Sequence, residues 1–168
     1  FLEKVDPSKI GYFTFSKNAA QEGKSRAMEK FNLTEKDLPY FRTLHSFCFN
    51  LLGLKKENVM QEKDYRDLGK DIQIEFEGIR YDNDHEGVLH SKDPYISLIS
   101  LARNKRISPL ELYNRNGNNY NITYDKLEII DKELYRYKKH KGLIDFIDML
   151  EKFLEKGESP NFEVIFVD

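Results

Sequence analysis

The chain closes on Phe162-Glu163-Val164-Ile165-Phe166-Val167-Asp168, an apolar, β-branched run followed by one carboxylate. A nearly continuous Val/Ile/Phe run of this kind is the pattern of a strand buried on both faces of an α/β sheet. The residue that follows such a strand emerges at the carboxyl edge of the sheet, where ligands bind. Asp168 therefore has two readings at this point. It is either a carboxylate directed at a metal, or an Asp at an ordinary turn.

With 168 residues the chain is long enough for one domain, or for one domain carrying an insertion, and for a sizeable core. Hydrophobic residues make up 39% and charged residues 33%, and no apolar stretch approaches the roughly 20 residues that span a bilayer. No basic, then apolar, then small-residue leader opens the chain, and the lone Cys48 has no partner for an internal disulfide, so a reducing, cytoplasmic setting is expected. The start at Phe1 suggests a fragment. A net charge of -2 excludes a uniformly basic coat, so nucleic-acid contact would have to come from a local patch or from stacking.

Ile10-Gly11-Tyr12-Phe13-Thr14-Phe15 reads as a buried strand, Ser16 to Asn18 turn the chain, and a helix follows. Ala19, Ala20, Gly23, Ala27, Met28 and Phe31 give that helix a small-residue face suited to packing on a sheet. A second helix is predicted from about Pro39 to Leu52, with Pro39 near its first turn and Gly53 as its stop. A short helix over 64–70 precedes the alternation Ile72, Ile74, Phe76, which predicts a half-buried strand. Helices are then expected from Pro94, over Pro109 to Tyr113, from Tyr124 to His140 with Gly142 as terminator, and over Ile144 to Lys156. Leu154 counts among the last helix's buried residues. Strands of α/β character thus bracket a mainly helical middle, the pattern of an α/β domain with a helical insertion.

Asp82-Asn83-Asp84-His85-Glu86-Gly87 has the alternating oxygen ligands of a calcium loop, but the segment before it alternates like a strand, and Asp93 before Pro94 is better used as a helix N-cap. His85 and His90 lack the paired Cys or helical His partner of a zinc site, so a solvated acidic loop is expected. Arg136, Lys138, Lys139, His140 and Lys141 form the most basic stretch. They suit either a helix C-terminus opposing its macrodipole or a patch for phosphates. Thr14-Phe15-Ser16-Lys17-Asn18-Ala19-Ala20 leaves a strand at its carboxyl end beside a helix N-terminus, where backbone N–H groups and hydroxyls can hold a phosphate. Phe15 there offers a stacking face to a base, or belongs to the core.

Taken together, Ile10 to Glu22 with Arg26, then Arg42-Thr43-Leu44-His45-Ser46-Phe47-Cys48, then Gly142 to Leu150, then Phe162 to Asp168 resemble UvrD/PcrA/Rep-type superfamily 1 DNA helicases in order and spacing. The first block resembles motif Ia, a TFTNKAA-like stretch, with Lys17 and Asn18 in swapped order. The second resembles motif Ib (T-x-H-S-F), the third a V-D-F-x-D-L-L segment, and the last motif II, or Walker B, up to its Asp.

This resemblance implies a partial RecA-like P-loop NTPase domain, subdomain 1A, with a mainly helical insertion, subdomain 1B. Residues 1–70 and 142–168 would belong to 1A and 71–141 to 1B. It implies that Phe15 stacks on a base of single-stranded DNA and that Thr14, Ser16, Asn18, Thr43, His45 and Ser46 line the strand's path. Asp168 would hold Mg²⁺ through water. The parent protein would use ATP and Mg²⁺ to translocate on single-stranded DNA and unwind duplex. A helicase-nuclease component and a non-catalytic DNA-binding or interaction module derived from the same fold are the alternatives. No G-x-x-x-x-G-K-[ST] phosphate loop occurs in the 168 residues, so the isolated chain is expected to lack ATPase activity.

Overall fold

A computed structural model describes residues 4–81, 89–116 and 122–168. The described residues form a mixed α/β structure with one parallel sheet and seven α-helices. They divide into two compact units, one comprising 4–54 with 149–168 and the other 55–81 with 89–116 and 122–148. The chain belongs to the α/β class expected, and its parallel sheet is compatible with part of a P-loop-type domain. Among the described residues no helix is long and apolar enough to cross a membrane.

The first unit is built on a three-stranded parallel sheet of order β2-β1-β5, with β1 Ile10–Thr14 in the centre, β2 Phe41–Thr43 on one side and β5 Val164–Val167 on the other. Strand β1 runs into helix α1, Lys17–Phe31, and β2 into α2, Leu44–Leu51. On one face Ile10, Ala27, Leu38 and Phe41 form a small core. On the other the aromatic rings gather: Phe13 lies 4.6 Å from Phe47, and Tyr40 lies 4.9 Å edge-on from Phe162. Helix α2 is capped at its start by Thr43 and followed by Gly53 at φ 63, the left-handed conformation that glycine adopts without a Cβ penalty.

Three expectations for this unit are corrected. The helix predicted from Pro39 begins only at Leu44, because Phe41-Arg42-Thr43 pairs with β1 in the register Tyr12↔Phe41 and Thr14↔Thr43. Phe41, Leu44 and Phe47 fall at helical spacing, and that coincidence hid a three-residue strand. The terminal strand is also not buried on both faces: Ile165 is 54% and Val167 71% exposed. Strand β5 lies at the sheet's edge, paired with β1 alone among the described residues. Leu154 is likewise exposed, not buried.

The second unit is helical. It contains α3 Glu62–Asp71, α4 Pro94–Asn104, α5 Pro109–Asn116, α6 Tyr124–Lys141 and the first residues of α7, Phe146–Lys156, with a two-residue antiparallel pair, β3 Arg80–Tyr81 and β4 Leu89–His90. Leu127, Ile130, Leu134 and Tyr137, at spacings of three and four along α6, meet Leu98 and Ile99 of α4 and Leu68 of α3 in one core. Asp93 accepts from the N–H groups of Tyr95 and Ile96 at 3.0 Å, the N-cap expected before Pro94. No strand forms over 72–77. Gln73 adopts φ 57, the Ile74 N–H donates to Gly69 O at 2.8 Å, and Ile72, Ile74 and Phe76 pack partly buried on the core without a partner strand. Alternation reported burial correctly here, but a strand also needs a neighbour to take its hydrogen bonds.

Candidate nucleic-acid interface at the carboxyl edge of the sheet

Because β1 and β2 are parallel and each leads directly into a helix, α1 and α2 both present their N-termini at the same edge of the sheet. The residues between strand and helix shape that edge. Thr14, 2% exposed, donates its hydroxyl to Ser16 O at 2.7 Å, and Ser16 Oγ accepts from the Ala19 N–H at 3.0 Å. Thr43, 3% exposed, accepts from the Ser46 N–H at 3.1 Å. Both threonines therefore set the two turns from beneath the edge, and their hydroxyls are already engaged.

Above them the chain is open. Phe15 is 58% exposed although it directly follows a strand whose neighbouring residues, Phe13 and Thr14, are buried. Lys17 and Asn18 are exposed in the first turn of α1, while Ser16, His45 and Ser46 are partly buried. The structure thus brings Thr14, Phe15, Ser16, Asn18, Thr43, His45 and Ser46 to one edge of one sheet. Beside them on β2, the Nε–H of Arg42 is a buried donor with no acceptor among the described residues. Two helix N-termini make this edge suited to an anion, and an exposed ring suits a planar partner.

Asp168 reaches the same edge from β5. Its N–H donates to Phe13 O at 2.9 Å, and its Oδ2 accepts from the Tyr12 hydroxyl at 3.3 Å. Burial, and after it the charge of Asp168, pushes the Tyr12 phenol above its ordinary value, so it remains a donor at neutral pH. Among the described residues no group of three or more His, Cys, Asp or Glu side chains could cage a metal. One exposed carboxylate fits instead the way Mg²⁺ is commonly held, with most of its shell left to water and phosphate oxygens.

The family model for the UvrD/REP helicase N-terminal domain matches residues 2–166. The chain belongs to that family. No significant match was found among curated proteins or among solved structures. Membership of the UvrD/REP helicase N-terminal family gives the chain a helicase-family role. The matched stretch contains the whole β1–α1 and β2–α2 edge and stops short of Asp168.

The remaining candidates separate clearly. Within the helicase domain's helical unit the basic stretch of α6 is largely engaged: Arg136 pairs with Glu133 at 2.5 Å, and Lys141 lies over the Tyr137 ring. Lys138 is buried and bonds Asp145 at 2.6 Å and Asp148 at 2.7 Å, and Arg103 bonds the same two carboxylates at 2.5 Å. At the start of α7 the Asp145 N–H donates to Asp148 Oδ2 at 2.9 Å and the Asp148 N–H to Asp145 Oδ1 at 2.8 Å. Sequence reasoning missed this network and missed Tyr12. The spacing of two Asp residues across a helix start was a signal for the first. Nothing in the pattern singled out a hydroxyl in mid-strand. The acidic segment 82–88, with His85, lies outside the described residues.

Proposed function

We propose that the chain is the part of an ATP-dependent DNA helicase that grips single-stranded DNA along the carboxyl edge of its sheet. The observation that carries this is Phe15, a large apolar side chain left 58% exposed between two helix N-termini. A base stacked on its ring would leave the adjoining phosphates near Ser16, Asn18, His45 and Ser46, at the starts of α1 and α2. Thr14 and Thr43 would act from below by fixing the two turns.

Asp168 would direct Mg²⁺ through water, and the metal would supply charge neutralisation for the phosphates of bound ATP. The phosphate-cradling G-x-x-x-x-G-K-[ST] sequence is not among these 168 residues, so in this proposal the chain contributes the DNA grip and a metal-directed carboxylate, and not the whole ATP site. The 1B-type insertion would be residues 71–141, whose described part lies in the helical unit. Coupling of ATP hydrolysis to translocation and duplex unwinding would follow from moving the gripped strand.

Ultraviolet cross-linking to a thymine-rich oligonucleotide, followed by peptide mapping, tests the proposal. Cross-links are expected on the peptides carrying Phe15 and His45. Cross-links confined to the α6 peptide carrying Lys132 to Lys141 would contradict it.

A further inference from the structure

We propose that Tyr12 is a positioning residue for Asp168, its hydroxyl fixing one carboxylate oxygen so that the other is presented to a metal-bound water. The proposal rests on the assignment of Asp168 as the metal-directed carboxylate. The Tyr12 hydroxyl donates to Asp168 Oδ2 at 3.3 Å, while the Asp168 N–H is held by Phe13 O at 2.9 Å, so β1 fixes both the backbone and the side chain of the last residue. In the parallel register Tyr12 faces Phe166, two residues before Asp168, which puts both side chains on the same face of the sheet.

The ring that carries this hydroxyl is itself clamped. It lies 5.2 Å from the Phe41 ring on β2, and the Tyr12 N–H donates to Tyr40 O at 3.0 Å. On its other side lies Gly23 in the interior of α1, where a Cβ would come within 2.4 Å of Tyr12 Cε1 and 3.1 Å of its hydroxyl oxygen. Glycine inside a helix is unfavourable relative to alanine. The bare Cα at position 23 is what lets the Tyr12 ring pass α1 and reach the carboxylate. A tyrosine that needed only to satisfy its own hydroxyl could use solvent, since Tyr12 is partly exposed. A carboxylate that must hold a metal-bound water gains from an outer partner that fixes its rotamer.

Tyr12→Phe keeps the ring and its packing and removes only the hydroxyl. The test uses the full chain, isotope-labelled, with Mn²⁺ as the probe, and reads paramagnetic broadening of the backbone amide signals of Phe13, Val167 and Asp168. In the unmodified chain these signals should broaden selectively, and in Asp168→Asn the selective broadening should be lost. Tyr12→Phe should need about tenfold more Mn²⁺ for the same broadening while its melting temperature stays unchanged. Broadening in Tyr12→Phe at the unmodified chain's Mn²⁺ concentration, with Asp168→Asn silent, overturns the positioning role and leaves Asp168 as the metal-directed carboxylate. Retained selective broadening in Asp168→Asn overturns the metal assignment itself, and the inference with it.

Discussion

The two units treat charge in opposite ways. Among the described residues the helical unit takes ionisable side chains inside: Asp64, Asp93, Lys138 and Asp145 are all buried, and Lys138 and Asp145 are linked with Arg103 and Asp148 in one network. The described residues of the sheet unit bury only uncharged polar side chains, Thr14 and Thr43, and leave Phe15, Lys17, Asn18 and Asp168 exposed at its carboxyl edge. Buried charge must be paired to be tolerated, so the groups that pair it are committed to the fold. Groups exposed at a ligand-binding edge are open to solvent, where a ligand can reach them. Lys138 of α6 and the edge residues, equally suggestive in the sequence, are told apart by this difference.

The comparison breaks first at Lys138. Lys138→Ala leaves two carboxylates, one of them buried, against Arg103 alone, and is expected to cost about 3–5 kcal/mol in chemical denaturation. A loss below about 1 kcal/mol would class the network with surface ion pairs and remove the distinction between the units.

The same network has a pH signature. Burial pushes the Asp145 carboxyl upward, but Lys138 and Arg103 together outweigh it and hold it below its ordinary value of 3.8. A depressed carboxyl contributes stability that is complete above its unfolded value and is lost as pH falls through the folded one. The helical unit should therefore hold its circular dichroism at 222 nm down to about pH 4 and lose it only in stronger acid. In Lys138→Met the acid midpoint should move upward. An unmoved midpoint would show that Asp145 does not depend on its partner.

A smaller effect is expected in the sheet unit. Gly23→Ala would ordinarily favour a helix by somewhat under 1 kcal/mol, but the added Cβ meets the clamped Tyr12 ring, so a net loss of about 1–3 kcal/mol is expected. A gain in melting temperature would mean that the ring is free to move.

Much of this was legible in the residues. The strand–turn–helix of β1 and α1, the glycine stops at Gly53 and Gly142, and the Asp93 cap follow from local chemistry that acts within a few residues. The edge residues were legible only through a family resemblance, since Phe15 as a base-stacking ring and Phe15 as core look alike in the pattern. What was hidden depends on partners distant in sequence. Strand β2 exists because β1 is beside it, β5 is exposed because it is an edge among the described residues, and 72–77 is not a strand because no strand among the described residues pairs with it. Lys138 reads as one more cation at a helix end until Asp145 and Asp148 are seen around it.

Phe15→Ala in the full chain tests the central claim most directly, with melting temperature and affinity for a labelled single-stranded oligonucleotide measured on the same sample. Because the ring is mostly exposed, stability should change by no more than about 0.5 kcal/mol, while binding should weaken by about 1–3 kcal/mol, the scale of one base–aromatic stack. A loss of about 3–5 kcal/mol in stability with unchanged affinity per folded molecule would show that Phe15 belongs to the core, and would contradict the assignment of this edge to DNA.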